Sequence, residues 1–224
     1  MRIFHVSDLH GDLGVFGQDP IDDVPDLWVF TGDMMPNRTR GNSAIEVPYQ
    51  MQWYASVYDW WVPRLRGAPV LLVPGNHDYA DLALLLRRDG VDAREVTTEG
   101  LVFQGLRFSG FGHIPLIAGE WNRESTYREL SDLTTRAIAS DPDVLVTHAP
   151  PDGILNGFYA GVGAITAALT YGGHRVRAHL FGHAHEDGGR SIQNMGVLFV
   201  NSATTLQVVR VLPPAVPADG PQRR

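Results

Sequence analysis

The sequence contains no cysteine among its 224 residues. This absence excludes a disulfide framework and any thiolate metal site, so a metal would have to be held by histidine, carboxylate, amide or water ligands. The sequence also lacks the run of roughly 18 apolar residues that a membrane-spanning helix requires. It therefore predicts no membrane partner.

Positive charge is scarce as well. The chain has 18 lysine and arginine residues against 25 aspartate and glutamate residues, which leaves a formal net charge of -7. Binding to long nucleic acids depends on lysine and arginine side chains that neutralise many phosphates, so this balance argues against such a partner. No basic segment followed by an apolar run opens the chain, and we therefore expect a cytoplasmic protein without a secretory signal.

Short runs of apolar and β-branched residues recur along the chain and predict buried strands. They span residues 2–6, 27–31, 70–73, 101–110, 144–148, 178–182, 197–201 and 206–212. Helical patterns lie between them at residues 81–88 and 124–139, and a third helix is predicted from apolar residues at i, i+3, i+4 and i+7 spacing. Its predicted buried face consists of Met51, Tyr54, Ala55, Tyr58, Trp61, Val62 and Leu65. This alternation predicts an α/β sandwich with sheets inside and helices outside.

No internal repeat and no linker interrupts the chain before residue 212, so residues 1–212 are predicted to form one domain. Residues 213–224 are rich in proline and predict a disordered tail. Trp53 and Trp60 fall off the predicted buried face of the aromatic helix. A second packing contact is the favoured interpretation, while a homodimer surface and a platform that stacks a substrate base are the alternatives.

The stretch SDLHGDL, residues 7–13, places Asp8 and His10 two positions apart at the end of the first predicted strand. An extended backbone through Asp8 would direct both side chains at one point. Aspartate and glycine are also turn residues, so this motif alone is equally compatible with an ordinary turn. The rest of the sequence decides between the two interpretations.

Polar side chains follow four further predicted strands at the point where each strand ends. They are Asp33, Asn76, His77, Asp78, His148, His183 and His185. Open α/β sheets present their ligand-binding residues at this position. Because five strand ends in all carry metal-type ligands, the sequence predicts that they form one shared metal site.

The ligand types indicate two divalent cations. Cations roughly 3.5–4 Å apart need a shared anionic bridge, and Asp33 is the natural bridge because one carboxylate can give one oxygen to each ion. Imidazoles, the Asp8 carboxylate and the Asn76 amide oxygen complete a mixed nitrogen and oxygen set, which suits Mn, Fe, Zn, Co or Ni better than Mg or Ca. With a bridging hydroxide the site sums to a charge of about +1, so it should attract an anionic phosphoester.

These motifs are similar to those of the calcineurin-like metallophosphoesterase superfamily, whose pattern is D-x-H, G-D, G-N-H-[DE], H and G-H-x-H. All of them are intact here, at residues 8–10, 32–33, 75–78, 148 and 182–185. The resemblance covers residues 1 to about 205. It implies a four-layer α/β/β/α sandwich with two mixed β-sheets and a dinuclear metal site at the C-terminal strand ends.

The resemblance also implies a role for each motif residue. One metal would be bound by Asp8, His10, Asp33 and His185, and the other by Asp33, Asn76, His148 and His183. His77 would face the leaving group and assist its departure, and Asp78 would hold the His77 ring. The implied activity is hydrolysis of a phosphoester by a metal-bridging hydroxide that attacks phosphorus, with manganese as the expected metal.

The stretch THAPPDGIL, residues 147–155, resembles the T-H-x-P-P-x-G-I-L stretch of the small metallophosphodiesterases related to the vertebrate fetal-brain members of this superfamily. It favours a phosphodiesterase that acts on a small phosphoester, for which a nucleotide is one candidate. A phosphomonoesterase or nucleotide pyrophosphatase would use the same residues and is the alternative. A non-catalytic metal-binding scaffold is less favoured, because such a protein is free to lose histidines and this chain has every motif histidine.

Three further polar residues carry weaker signals. His5 lies within the first predicted strand and is interpreted as a satisfied core histidine. His113 follows a strand in a glycine-rich turn and could line the substrate pocket, although a plain loop residue is favoured. Arg38 could reach a phosphate oxygen from its position five residues after Asp33, and a solvated loop arginine is the alternative.

Overall fold

The computed structural model describes residues 1–17, 24–65, 67–158 and 161–212. Its strands are β1 (Arg2–Val6), β2 (Leu27–Phe30), β3 (Val70–Leu72), β4 (Ala93–Glu95), β5 (Leu101–Phe103), β6 (Leu106–Phe111), β7 (Ile114–Pro115), β8 (Glu124–Ser125), β9 (Val144–Thr147), β10 (Ala178–Phe181), β11 (Arg190–Asn194), β12 (Val197–Asn201) and β13 (Leu206–Arg210). Its α-helices are α1 (Ser43–Leu65), α2 (Leu82–Arg88), α3 (Tyr127–Ala139) and α4 (Gly163–Tyr171). The predicted tail, residues 213–224, lies outside the described residues, and the single domain stays a prediction.

The strands form two large mixed sheets. The first has the order β13-β1-β2-β3-β4, in which β13 is antiparallel to β1 and the other pairs are parallel. The second has the order β11-β12-β10-β9-β6-β5, with antiparallel pairs at both edges and parallel pairs inside. Parallel strands are buried on both faces, so each sheet needs a layer on either side.

Side chains on the two faces of a strand enter different cores, as the two-residue period of a β-strand requires. In β1, Ile3 packs between the two sheets, whereas Phe4 packs with the residues of α1 and α2. In β9, Val144 and Val146 share the core between the sheets, whereas Leu145 packs with α3 and α4. The layers therefore run helix, sheet, sheet, helix, and the predicted four-layer α/β/β/α sandwich is confirmed.

The predicted buried face of α1 is partly wrong. Met51, Ala55 and Tyr58 are exposed, and the polar residues Glu46 and Gln50 are buried instead. Large apolar residues occur on several sides of this helix, so apolarity alone could not show which side faces the core. Glu46 and Gln50 depart from the pattern because they hydrogen-bond backbone groups of neighbouring loops.

The tryptophans of α1 pack on one core cluster. Trp61 is fully buried and stacks on Phe30 with ring centroids 6.1 Å apart. Trp53 and Trp60 are partly buried against the same cluster. Their interpretation as a second packing contact is confirmed, and the homodimer stays a prediction.

Helix α3 begins at residue 127 and not at residue 124. Thr126 and Glu129 form a capping box, in which each side chain accepts the backbone N–H of the other residue. Glu124 lies before the cap and outside the helix. Its carboxylate accepts backbone N–H groups of the preceding loop, including that of Trp121 over 3.3 Å. The capping box therefore overrides the helical pattern at residues 124–126.

Helix α4 and strand β11 are absent from the predicted elements. Val162, at the N-cap of α4, provides no capping side chain. All five residues of β11 are exposed, so this edge strand lacks an alternating apolar pattern. None of the helices in the described part of the chain combines the length and the apolar character that spanning a bilayer requires.

The orientation of α1 predicts unequal effects of two truncations. Trp61→Ala should lower the free energy of unfolding by about 3–5 kcal/mol, because it removes a fully buried indole. Tyr58→Ala should lower it by less than about 1 kcal/mol, because Tyr58 is exposed. Chemical denaturation of both variants measures the difference, and equal losses would contradict this orientation.

Candidate metal centre

The C-terminal ends of parallel strands from both sheets meet at one edge of the sandwich. Two hydrogen bonds join the sheets there. The backbone N–H of His183, after β10, donates to Oδ2 of Asp8, after β1, over 2.8 Å. His148, after β9, donates its Nδ1–H to the carbonyl of Thr31, after β2, over 2.6 Å. The side chains that follow these strands are therefore held close together.

The structure brings the seven predicted ligands together in neighbouring groups. One group, with ligand atoms within 4.8 Å of one another, consists of Asp8, His10 and His185. A second, on the same criterion, consists of Asp33, His148 and His183. Asn76 lies beside the second group, with its Oδ1 3.0 Å from Nε2 of His148.

The lone pairs of the first group converge. Nε2 of His10 lies 3.3 Å from Nε2 of His185, which in turn lies 3.3 Å from Oδ1 of Asp8. Protons can satisfy only some of these facing atoms at one time. A divalent cation can accept electron pairs from all three, and imidazole with carboxylate is a usual ligand set for a transition metal. The side chains therefore fit a bound cation.

Asp33 directs one carboxylate oxygen at several imidazoles. Its Oδ2 lies 3.3 Å from Nε2 of His148 and 3.8 Å from Nε2 of His77. Its Oδ1 accepts the backbone N–H of His77 over 2.7 Å. Oδ2 is therefore the Asp33 oxygen that faces the imidazoles, and the expected bridge with one oxygen for each ion stays a prediction.

His77 belongs to a third group, with His10 and Asp33. The rings of His77 and His10 are nearly perpendicular, with centroids 4.6 Å apart. The His77 side chain is 20% exposed, whereas that of His148 is fully buried. His77 therefore lies on the solvent-exposed side of the cluster.

The two carboxylates of the cluster, those of Asp8 and Asp33, are almost completely buried. Burial alone would raise the pKa of Asp33, but the charge and hydrogen bond of His148 outweigh it and hold this pKa far below its usual range. Burial alone would lower the pKa of His148, but Asp33 and Asp8 raise it to about 9. A bound metal would displace the proton of His148, because only neutral imidazole is a ligand.

The other histidines of the cluster differ from His148. Burial lowers the pKa of His183 to about 4, and the charge of His148 acts in the same direction. Burial also lowers the pKa of His77. The hydrogen bond with Asp8 raises the pKa of His185, which is half-exposed. Neutral His183 is thus ready to act as a ligand without losing a proton.

Four predicted ligands have left-handed backbone conformations, with φ of 56° at Asp8, 47° at His10, 54° at Asp33 and 67° at His183. The expectation of an extended backbone through Asp8 is therefore wrong. Such conformations cost of order 1–3 kcal/mol each outside glycine. Hydrogen bonds between neighbouring strand ends, such as Asp8 N–H to the Gly32 carbonyl at 2.9 Å, stabilise them.

Two motif glycines, Gly75 and Gly182, lie where the backbone approaches a carboxylate too closely for a side chain. A Cβ atom at Gly182 would overlap Oδ2 of Asp8, and a Cβ atom at Gly75 would overlap Oδ1 of Asp33. The backbone can therefore lie against each carboxylate only where no side chain is present.

Asp78 does not contact the His77 ring, and the predicted contact is wrong. Its Oδ2 accepts the backbone N–H groups of Asp33 and Gly75 over 2.7 and 2.9 Å, and its Oδ1 accepts that of Met35 over 3.2 Å. Burial raises the pKa of Asp78. The carboxylate fixes the backbone on both sides of the cluster instead of orienting an imidazole.

Two residues outside the predicted set contact the His77 ring. Oδ1 of Asn37 lies 2.7 Å from Nδ1 of His77. The ring of Trp121 lies 4.2 Å from that of His77, at an interplanar angle of 35°. Neither residue belongs to a motif, so no sequence signal distinguished them from ordinary loop residues.

His5 lies fully buried below the cluster. Its Nε2 is 2.9 Å from Oγ1 of Thr31 and its Nδ1 is 2.7 Å from Oγ of Ser202. Burial lowers its pKa to about 3. The interpretation of His5 as a satisfied core histidine is confirmed.

Arg38 and His113 lie outside the three ligand groups. The guanidinium of Arg38 stacks on the ring of Tyr49 at 4.2 Å, and its reach to a phosphate stays a prediction. His113 lines an open groove along α3 with Glu129 and Arg136. Within the described part of the chain, neither residue contacts a predicted metal ligand.

One family model matches the chain. The model of the calcineurin-like phosphoesterases matches residues 1–187, a range that contains all seven candidate ligands and His77. None of the curated proteins matches the chain.

Removal of the Asp33 carboxylate should collapse metal binding at both positions. Asp33→Ala is expected to reduce the metal content from close to two ions per chain to less than one, because Asp33 belongs to the second group and, through the third group, adjoins His10 of the first. Elemental analysis after gel filtration measures the content. Asp12→Ala, which removes an exposed carboxylate two residues from His10, is the matched control and should keep both ions. Two tightly bound ions in Asp33→Ala would refute the bridging role.

Proposed function

The chain belongs to the calcineurin-like phosphoesterase family, whose members are metal-dependent phosphoester hydrolases, and from this membership we propose that it is a phosphodiesterase with two metal ions. The observation that supports the proposal is the overlap of the ligand groups. The first and third groups share His10, and the second and third share Asp33. One continuous cluster thus has room for two neighbouring cations.

The proposed ligand sets are those that the resemblance implies, and they extend the first group by Asp33 and the second group by Asn76. One ion is held by Asp8, His10, Asp33 and His185, and the other by Asp33, Asn76, His148 and His183. The mixture of imidazole nitrogen with carboxylate and amide oxygen favours manganese, with Fe, Zn, Co or Ni as alternatives. When bound, the two ions would supply an activated water and neutralise charge on the phosphoryl oxygens.

Hydrogen bonds orient the proposed ligands toward the ions. Because Nδ1–H of His148 donates to the Thr31 carbonyl, Nε2 is the nitrogen that a metal would bind after loss of its proton. Because Oδ2 of Asp8 accepts the backbone N–H of His183, Oδ1 is the oxygen that faces His185. The protein therefore presents one defined atom of each of these residues to a metal.

His77 is proposed to assist the leaving group. Its side chain is 20% exposed, and its Nε2 lies 3.8 Å from Oδ2 of Asp33. Its Nδ1 is already occupied by Asn37, so the proton exchanged with the leaving oxygen would sit at Nε2. Protonated His77 would give this proton to the departing oxygen as a general acid.

The preference for a diester is proposed from the stretch at residues 147–155, which resembles that of the metallophosphodiesterases related to the vertebrate fetal-brain proteins. This stretch supplies His148 and continues through Pro151, which pairs with Val162. It therefore runs from one proposed metal ligand to the start of α4. A nucleotide is proposed as one candidate substrate.

Removal of metals should abolish hydrolysis. After chelation, manganese is expected to restore the rate better than magnesium, because the ligand set contains several imidazoles. Hydrolysis of bis-p-nitrophenyl phosphate and p-nitrophenyl phosphate by the metal-free and reloaded protein measures both effects. Full activity without metal would end this proposal. Faster cleavage of the monoester would indicate a phosphomonoesterase instead of a phosphodiesterase. Two bound ions without hydrolysis of any phosphoester would indicate a scaffold.

Replacement of His77 should separate metal binding from chemistry. His77→Ala is expected to keep both ions and to slow cleavage of an alkyl or nucleoside diester by roughly 10²–10⁴-fold, the usual range for a lost general acid. The loss should be smaller for a nitrophenyl diester, whose leaving group hardly needs a proton.

The matched control for His77→Ala is His174→Ala. His174 bonds the Leu169 carbonyl, outside the ligand groups, so its replacement should leave both rates unchanged. Equal losses on both substrates in His77→Ala would show that His77 stabilises the phosphoryl group, and loss of an ion would make it a ligand.

A further inference from the structure

Two residues that belong to no motif, Asn37 and Trp121, contact the His77 ring. Oδ1 of Asn37 is 2.7 Å from Nδ1 of His77, and the side-chain amide of Asn37 donates to the Thr39 carbonyl over 2.8 Å. The second bond determines which end of the Asn37 amide faces His77. Because a carbonyl can only accept, the amide nitrogen must face Thr39 and the amide oxygen must face the imidazole.

This orientation determines the tautomer of neutral His77. An amide oxygen accepts a hydrogen bond, so Nδ1 of His77 must carry the proton. The imidazole nitrogen that faces the metal cluster is then Nε2, with a free lone pair in the neutral ring and a proton in the charged ring. Asn37 therefore decides which ring nitrogen exchanges a proton with the substrate.

Two rings confine the plane of the His77 imidazole. Trp121 covers it at 4.2 Å with a tilt of 35°, and His10 approaches nearly perpendicular to it at 4.6 Å. The Asn37 bond opposes a flip of the imidazole, because a flip would exchange the ring nitrogen for a carbon. Packing by Trp121 opposes smaller rotations of the same ring.

Both holding residues are themselves anchored. The backbone N–H of Arg38, next to Asn37, donates to the buried carboxylate of Glu46 in α1 over 3.0 Å. Asn122, next to Trp121, donates its side-chain amide to the Asp78 carbonyl over 2.8 Å. The loop of Asn37 is therefore attached to α1, and the loop of Trp121 is attached to the backbone next to His77.

We propose that Asn37 and Trp121 are positioning residues for His77, the first setting its tautomer and the second its ring plane. The inference rests on the proposed function, because it concerns the leaving-group step of that reaction. The tautomer and the ring orientation of His77 can nevertheless be measured without turnover.

The first test is spectroscopic. Long-range proton–nitrogen correlations in the full chain with isotope-labelled histidine and added Zn, which is diamagnetic, show which nitrogen carries the proton. The signal of His77 is identified by its loss in His77→Ala. We expect the Nδ1–H tautomer in the wild type and in Asn37→Asp, which keeps an acceptor, and a shift toward the Nε2–H tautomer in Asn37→Ala. An unchanged tautomer in Asn37→Ala would overturn the role of Asn37.

The same spectra test Trp121. Its indole should shift the ring-proton signals of His77 by its ring current, and Trp121→Ala should remove this shift. Trp121→Phe, which keeps an aromatic face, should retain part of it and guards against a variant that fails to fold. His77 signals that are identical in the wild type and in Trp121→Ala would overturn the role of Trp121.

The second test is a double-mutant cycle on an alkyl or nucleoside diester. Asn37→Ala and Trp121→Ala should each lower kcat by roughly 10–100-fold, the usual cost of removing a residue that orients a site histidine, with little change in KM. In the His77→Ala background neither change should slow the reaction further. Equal effects in both backgrounds would show that the two residues do not act through His77.

Exposed neighbours provide matched controls for the tautomer measurement. Arg38→Ala removes a guanidinium that stacks on Tyr49, and Arg40→Ala removes one that lies 5.3 Å from the Trp121 ring. Neither variant should change the His77 tautomer.

The outcomes of the two tests separate the two proposals. If the wild type binds metal and cleaves no phosphoester while the His77 spectra change as expected, the proposed function fails and the positioning role stands. If the wild type cleaves a diester while the spectra do not change, the positioning role fails and the function stands.

Discussion

The burial of two carboxylates at the junction of the two sheets is the constraint on which the rest of the site depends. Asp8 and Asp33 are both about 1% exposed, and a buried charge is costly unless it is paired and hydrogen-bonded. Backbone N–H groups from neighbouring strand ends satisfy one oxygen of each carboxylate. The other oxygens face imidazoles. A pair of cations would complete this compensation, so the buried anionic junction is also the candidate metal centre.

This constraint explains several features that would otherwise be unrelated. The backbone turns sharply after β1, β2 and β10 to aim side chains at the junction, through the left-handed conformations of Asp8, His10, Asp33 and His183. Gly75 and Gly182 lack side chains where the backbone lies against a carboxylate. Helix α1 contributes through buried polar groups, and one of them, Glu46, is the anchor of the loop that carries Asn37. The outer helix layer thus supports the site through polar contacts as well as through packing.

Most of the fold could be predicted because its strands are buried on both faces and show as short apolar runs. The central strands of both sheets lie within the predicted runs. The errors occur at residues whose burial does not match their apolar or polar character. Tyr58 is apolar in character and exposed, whereas Gln50 is polar and buried because it bonds loop backbone. Edge strand β11 is exposed along its whole length. In these places tertiary hydrogen bonds or an edge position replace the hydrophobic pattern that sequence reasoning reads.

For the site, the sequence by itself determined which residue types follow the strand ends, and so the family and the composition of the candidate ligand set. The spacing within each motif is local, and the order of parallel strands brings such ends to one edge. Only the tertiary structure decided how the parts face one another. In that structure Asp78 accepts backbone N–H groups, Asn37 contacts the His77 ring, and Oδ2 of Asp33 faces the imidazoles. Residues 37, 77 and 121 lie far apart in the chain and in different loops, and contacts between loops depend on packing that no local pattern encodes.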